Sequence, residues 1–305
     1  MIKTGISAWT EPTLVASGWY PPGSRSAEGR LRYYASQFPL VEVDGTYYAV
    51  PSEQQARAWS ERTPSGFTMN VKAFAALTCH YTDPRRLPPD LREALPAELL
   101  RKRRVYPKDL GEEMVEEIAR RFREALAPLR EGRRLGLLLF QYPVWLPRSR
   151  ASRMQIVRAR ERFPEDRVAV ELRNATWMAS PESQAETLAF LRDLDVTYTC
   201  VDEPQGFSSS VPPVAEATAR TALVRMHGRR AERWDKPVEP ASERFRHLYT
   251  EEELAPWIPK IRGLARQASE VHVVMNNCHS DYAVRNARQI AAMLEKAGEE
   301  VRWAA

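Results

Sequence analysis

A chain of 305 residues, 43% apolar and 28% charged, has the balance of a folded globular protein with room for one large core, which excludes a disordered or fibrous chain. The net charge of +5 separates 45 basic from 40 acidic residues, and the basic set is 38 arginines and seven lysines. No run of about 18 apolar residues occurs, and Met1 leads almost directly into strand-like sequence without a signal-peptide pattern, so the expectation is a cytoplasmic protein with no membrane partner.

Eight short apolar runs of strand character each break off into charged or amide residues. They are Ile2 to Trp9, Leu40 to Tyr48, Phe67 to Phe74, Leu135 to Tyr142, Val168 to Trp177, Val196 to Asp202, Ala222 to His227 and Val271 to Asn277. A helical stretch is expected after each. Alternating strand and helix calls for parallel neighbours, and eight such units close a (β/α)8 TIM-type barrel, an α/β fold with its active site at the C-terminal strand ends. Residues 1–305 are read as a single domain with a basic helical insertion at about 84–134 between strands 3 and 4.

Helix signals fall where crossovers are needed. Ser52 with Gln55 reads as a capping box, and Ser180 before Pro181 as a cap with proline in the first turn. Thr250 with Glu253 is another capping box, after which Pro256 and Pro259 predict a late or kinked helix. Ser280 to Gly298 closes the eighth unit, with Ala283, Ala287, Ile290, Ala291 and Leu294 on one face and Gly298 as its stop. Three connections exceed a bare crossover: Ala75 to Arg134, Glu203 to Thr221 and Gly228 to Tyr249. All leave the C-terminal ends of strands, where long loops form walls or lids.

The insertion holds 14 basic and 10 acidic residues between Pro84 and Arg134, with Arg101, Lys102, Arg103 and Arg104 at its centre. Such a cluster is a candidate for phosphate and hence nucleic acid, although the interleaved acids favour a solvated face. Cys79, Cys200 and Cys278 are far apart, which supports neither a disulfide framework nor a paired zinc motif.

Residues two apart on a strand share a face, so polar pairs at strand ends can converge. Glu42 with Asp44, Asn70 with Lys72, Glu171 with Arg173 and Arg225 with His227 are such pairs. Ser7 and Trp9, Gln141, Asp202 and Asn276 or Asn277 end the remaining strands. Opposite charges on neighbouring strands imply a mutually neutralising cluster, the setting in which pKa values shift. Glu42, Lys72, Glu171, His227 and Asp202 are the candidate catalytic groups. Arg173, Arg225, Asn276, Asn70, Asp44 and Gln141 are candidate substrate contacts, with Tyr47, Trp177 and Trp9 as rings that stack on a sugar or base. The competing structural roles are a register-fixing Glu42–Lys72 ion pair, a core His227 and a turn-capping Asp202.

These oxygen and nitrogen donors could hold a divalent metal, but Lys72, Arg173 and Arg225 oppose a cation and favour phosphate or carboxylate. There is no dinucleotide glycine fingerprint, P-loop, nucleophile elbow or HExxH helix, so no cofactor is expected.

At these same residues the chain resembles the YecE-like family, a domain of unknown function. The resemblance covers nearly the whole chain and rests on Gly5-Ile-Ser-Ala-Trp, Val41-Glu-Val-Asp-Gly-Thr-Tyr-Tyr, Phe67 to Phe74 followed by Thr78-Cys-His80, Phe140-Gln-Tyr-Pro, Val170-Glu-Leu-Arg-Asn-Ala-Thr-Trp, Val224-Arg-Met-His-Gly and Asn276-Asn277. It implies a TIM-type barrel related to the xylose isomerase and endonuclease IV group, without a settled reaction. His80, in one of these segments, joins the substrate contacts. The chain departs from the family pattern at Gly45 (usually serine), Ala49 (often arginine), Asn174 (often histidine) and Met275 (an aromatic), and Cys79 stands as an extra residue between Thr78 and His80. The absent arginine and histidine weaken a phosphate contact there. Only His80, His227 and His279 lie near strand ends, too few for a trinuclear zinc site.

The expected function is an enzyme acting by acid and base catalysis on an anionic, phosphorylated substrate containing a sugar or nucleotide. Glu171 or Glu42 is the base, Lys72 and His227 supply a proton or stabilise charge, and Arg173 and Arg225 hold the anion. The alternative is a nucleic-acid-binding module without chemistry that uses the barrel mouth and the basic insertion. A third is a metabolite-sensing or partner-binding barrel without turnover.

Overall fold

The computed structural model describes residues 1–236 and 241–304. Eight parallel strands form a closed barrel: β1 (Ile2–Ser7), β2 (Leu40–Val43), β3 (Thr68–Lys72), β4 (Leu135–Gln141), β5 (Arg167–Glu171), β6 (Thr197–Asp202), β7 (Thr221–Met226) and β8 (Glu270–Met275). Each pairs with the next and β8 with β1, and the β1–β2 pairing closes the ring. A short β9 (Val301–Arg302) adds to the start of β1.

Gly5 sits at the closing seam opposite Leu40, and a Cβ there would lie 2.0 Å from the Leu40 carbonyl oxygen, so the approach of β1 to β2 requires glycine. Inside the barrel, Leu40, Leu137, Leu139, Ala169, Leu223 and Val274 form a fully buried apolar layer. Alternate residues on the outer face pack with the surrounding helices in a second, larger cluster.

Seven of the eight crossovers carry a principal helix: Ala27–Ala35, Glu53–Glu61, Glu112–Ala125, Arg150–Arg162, Pro181–Asp193, Trp257–Gln267 and, after β8, Tyr282–Lys296. The expected helix between β6 and β7 is absent. Residues 203–220 form no helix there, because Pro204, Pro212 and Pro213 remove amide donors and fix φ along the segment. The capping boxes at Ser180 and Thr250 are present, and the Ser52 side chain accepts from the Gln55 amide. The two prolines after Thr250 divide that crossover into Glu251–Leu254 and Trp257–Gln267.

Two strands stop earlier than their sequences suggest. β2 ends at Val43 and turns through a 3-10 segment at Gly45–Tyr47, and β5 ends at Glu171 before a 3-10 turn at Ala175–Trp177. Aromatic and β-branched residues continue the apparent strand in both, but Asp44 and Asn174 open turns. The insertion between β3 and β4 folds as short helices whose Leu87, Leu91, Leu95, Leu99 and Val105 bury into the outer core. Several of its cations are paired: Arg120 and Arg121 with Glu117, Glu124 and Asp90, and Arg130 with Asp166. Among the described residues, no helix is long and apolar enough to cross a membrane.

Candidate functional site

The inward-facing positions end in polar groups on most strands, so the top of the barrel is charged while the layer beneath it is apolar. At its centre is Arg225 of β7, 1% exposed. Its Nε lies 3.0 Å from Glu42 Oε2, its Nη2 lies 2.6 Å from Glu42 Oε1, and Nη1 donates to Glu171 Oε2. Both carboxylates are completely buried. Ser7 Oγ donates to Glu42 Oε1 at 2.9 Å, and Gln141 Nε2 donates to Glu171 Oε1 at 2.6 Å. The register-fixing Glu42–Lys72 pair, the competing structural role for these residues, is not formed: Arg225 takes Glu42, and Lys72 Nζ lies 2.8 Å from Asp44 Oδ1.

Burial pushes the Glu171 carboxyl up, but Arg225, His227 and Arg173 together outweigh it and hold the carboxyl well below the usual carboxylate range. His227 is buried beside it, with Nε2 3.2 Å from Glu171 Oε1. Burial is the main influence on His227 and lowers its pKa to about 4, so the imidazole is neutral at pH 7. Asn276 Nδ2 lies 2.8 Å from His227 Nδ1, which accepts in the tautomer that keeps its proton on Nε2.

Above this buried floor opens a cavity of about 710 Å³ lined by Lys72, His80, Gln141, Arg173, Arg244 and Asn276, with Asp44, Tyr47 and Tyr48 on one wall. Lys72 Nζ stands 4.7 Å above the Tyr47 ring. The Arg173 guanidinium packs 4.6 Å from the Trp234 ring, with Nη1 3.6 Å from Glu171 Oε1 and Nε 3.5 Å from Glu203 Oε2. Burial and then the Arg173 charge lower the pKa of Arg244, which places two guanidinium groups near one another in the same cavity. His80 is held neutral, with a pKa of about 3, by burial and then by Lys72 and Arg173, and its Nδ1 lies 2.9 Å from the Thr78 hydroxyl. Burial raises the Asp44 carboxyl, but Lys72 dominates and keeps it below its ordinary value.

Four residues singled out in the sequence stand elsewhere. Asn70 lies lower in the barrel, where its Oδ1 accepts from the Leu137 amide at 3.0 Å and lies 3.0 Å from His272 Nδ1. Asp202 points outward from β6, taking hydrogen bonds from Tyr249 Oη at 2.7 Å, Trp257 Nε1 at 2.7 Å and Arg229. Trp177 is fully buried and donates to the Leu146 carbonyl at 2.9 Å. Trp9 packs edge-on against Trp59 and lines a neighbouring chamber.

Sequence reasoning missed Glu203 and Arg244. Glu203 is the inward-facing residue at the end of β6, in phase with Thr199 and Val201, and choosing Asp202 was an error of one position that exchanged the two faces of the strand. Burial raises the Glu203 carboxyl to about 8, so at pH 7 it is mostly an uncharged acid beside Arg173. Arg244 sits on the connection after β7, where no periodicity marks it. Among the described residues, no group of three or more His, Cys, Asp or Glu side chains is arranged to hold a metal ion.

A family profile described as "Protein of unknown function DUF72" matches residues 3–305. The chain is 29% identical over 299 residues to UPF0759 protein YunF of Bacillus subtilis (strain 168), covering 97% of this chain and 95% of that protein. The crystal structure of a DUF72 family protein from Enterococcus faecalis V583 is similar, with a TM-score of 0.79 and 25% identity over 100% of this chain and 98% of that one. Another DUF72 family protein, from Thermotoga maritima MSB8, gives a TM-score of 0.74 and 28% identity over 97% and 99% of the two chains. The YecE-like segments, the closed (β/α)8 barrel and this end-to-end match agree: the chain belongs to the DUF72 family.

Proposed function

We propose that this barrel is an enzyme acting by acid and base chemistry on an anionic, phosphorylated substrate held in its mouth. The observation that carries the reading is the convergence of Lys72, Arg173 and Arg244 on one cavity, beside the neutral hydrogen-bonding groups of Gln141, Asn276 and His80. Guanidinium forks match phosphate oxygens, and bringing two together is costly without an anion between them.

Two carboxylates line the cavity; Glu11 is engaged by the Thr13 and Leu14 amides, which leaves Asp44 as the natural base, with Lys72 at 2.8 Å as a proton donor or as the cation that stabilises developing charge. Glu42, Glu171 and Arg225 lie beneath, where they act as positioning residues: their mutual pairing fixes Gln141 and the Glu171 side of Arg173. Thermal shift against sugar phosphates, nucleotides and inorganic phosphate tests the reading. A phosphorylated ligand should raise the melting temperature of the native protein and leave that of Arg173→Ala unchanged. Equal shifts in both would remove Arg173 from the site.

A second reading, nucleic-acid binding, is favoured by the rim. Tyr48, Trp145 and Tyr81 are 56%, 51% and 37% exposed, and the Arg104 guanidinium lies 4.7 Å from the Tyr81 ring. Residues 101–104 are all exposed. Exposed rings beside cations are a platform for single-stranded bases. On this reading, oligonucleotide affinity falls steeply with salt and drops in Arg104→Ala, whereas salt-independent binding would count against it.

A further inference from the structure

A second chamber, of about 300 Å³, adjoins the mouth and shares Ala8, Thr10, Asp44 and Gly45 with it. It lies outside the strand ring, between the ends of β1 and β2 and the helix Glu53–Glu61. Its walls are mainly apolar and include Trp9 and Trp59, whose rings meet edge to face at 88° with centroids 6.1 Å apart. Among the described residues, Asp44 alone of the mouth's acid, base and anion-binding groups lines it, and the other polar lining includes Gln55 and Arg62, whose Nε lies 3.4 Å from Glu28 Oε2.

We propose that this chamber receives the planar ring of a nucleotide whose phosphate lies with Lys72, Arg173 and Arg244, an inference that rests on the anion-binding reading of the mouth. Three features support it. First, the chamber is at the lower end of ligand pockets, which run from roughly 300 to 1,000 Å³, so it suits one ring system and leaves the rest of the molecule in the larger cavity. Indole walls offer that ring a stacking or edge contact, and the apolar lining gains by excluding water.

Second, the boundary that the two spaces share includes a glycine that packing does not dictate. Gly45 lines both, its φ lies outside the left-handed region, and a Cβ there would meet no atom within 4 Å. Neither backbone strain nor crowding requires glycine, and a side chain there would enter unoccupied space beside both cavities. Third, Ala8 at the same junction has φ 61°, a left-handed conformation that costs free energy for a residue with a Cβ. That turn carries the chain from β1 over the junction while the Ala8 amide donates to the Glu42 carbonyl at 3.0 Å.

Calorimetric titration with adenosine 5′-monophosphate, ribose 5-phosphate and adenosine tests the assignment on the wild-type protein, on Ala49→Trp, which fills the chamber, and on Gly45→Leu, which adds bulk at the boundary the two spaces share. In the wild type the nucleotide should bind about tenfold more tightly than ribose 5-phosphate, the gain expected from one stacked base. Ala49→Trp should erase that advantage and leave ribose 5-phosphate affinity unchanged. Gly45→Leu, whose side chain enters open space, should reduce the nucleotide advantage as well and serves if Ala49→Trp does not fold. Equal affinity for nucleotide and sugar phosphate in the wild type would overturn the chamber assignment while leaving the anion site intact. Binding of adenosine alone, lost in both variants, with no binding of either phosphate ester, would uphold the chamber and overturn the anion reading. No binding by any of the three would overturn both.

Discussion

Replacing Arg225 with methionine keeps most of the side-chain volume but removes the cation that Glu42 and Glu171 share. Both carboxylates are completely buried, with Arg225 hydrogen bonds to each, so the variant removes the cation they share and leaves Glu171 with Arg173 at 3.6 Å. Breaking a buried ion pair by deleting one partner costs about 3–5 kcal/mol, and with two carboxylates losing the same partner we expect the upper figure, about 5 kcal/mol at pH 8. The cost depends on pH in a definite direction. In the wild type, the depressed Glu171 pKa contributes stability above its unfolded value that is lost as pH falls through the folded pKa. In Arg225→Met the Glu171 carboxyl loses the largest part of that support and burial raises it, so it is stabilised as a neutral acid below the unfolded pKa and penalised as pH rises. The gap between wild type and variant should therefore be largest at pH 8 and shrink to about 2 kcal/mol near pH 5, the part due to lost hydrogen bonds. Urea denaturation at both pH values measures it. Adding Glu42→Gln and Glu171→Gln to the variant should restore most of the stability at pH 8. An Arg225→Met protein as stable as wild type at pH 8, or a gap independent of pH, would show that Arg225 does not neutralise the buried carboxylates.

Two further substitutions separate structural from functional carboxyls. Asp202→Asn should destabilise the fold by about 2–3 kcal/mol, since an anion accepting from Tyr249, Trp257 and Arg229 is lost, and should leave phosphate-ester affinity untouched, so a selective loss of binding would return Asp202 to the site. Glu203 has the opposite sign of linkage to Glu171. Its folded pKa of about 8 lies above its ordinary 4.5, so its stabilisation is present at low pH and lost as pH rises towards 8. Wild type should lose on the order of 3 kcal/mol relative to Glu203→Gln between pH 5.5 and pH 8, and parallel curves would show that Glu203 titrates normally.

The barrel was legible because its determinants are local. Eight apolar runs of strand character and the capping residues Ser52, Ser180 and Thr250 mark where elements lie, and alternation of strand and helix leaves few other topologies. The β6–β7 crossover was misread because a polar segment was filled by the repeat, when Pro212 and Pro213 already argue against a helix. Side-chain parity located Glu42, Lys72, Glu171, Arg173, Arg225, His227 and Asn276 at one end of the barrel. Pairing within that cluster was not legible, since Glu42 meets Arg225 across the barrel at a separation of 183 residues. Nor was depth. Sequence does not distinguish Arg225 on the floor from Arg173 in the cavity, and that difference decides which arginine can touch a ligand. Asp202 and Asn70 differ from the mouth residues by position alone: one residue of phase turns the Asp202 side chain outward, and one layer of depth makes the inward Asn70 part of the core.

The proposed anion site in the mouth rests on Lys72, Arg173 and Arg244. Isothermal titration of ribose 5-phosphate into wild type, Arg173→Ala and Arg244→Ala, each first confirmed as folded, tests it. Binding to the wild type should be saturable and should weaken at least about tenfold in each variant, the loss of one charge-assisted contact of roughly 1.5–3 kcal/mol. Wild-type binding that both variants retain at full strength would contradict it.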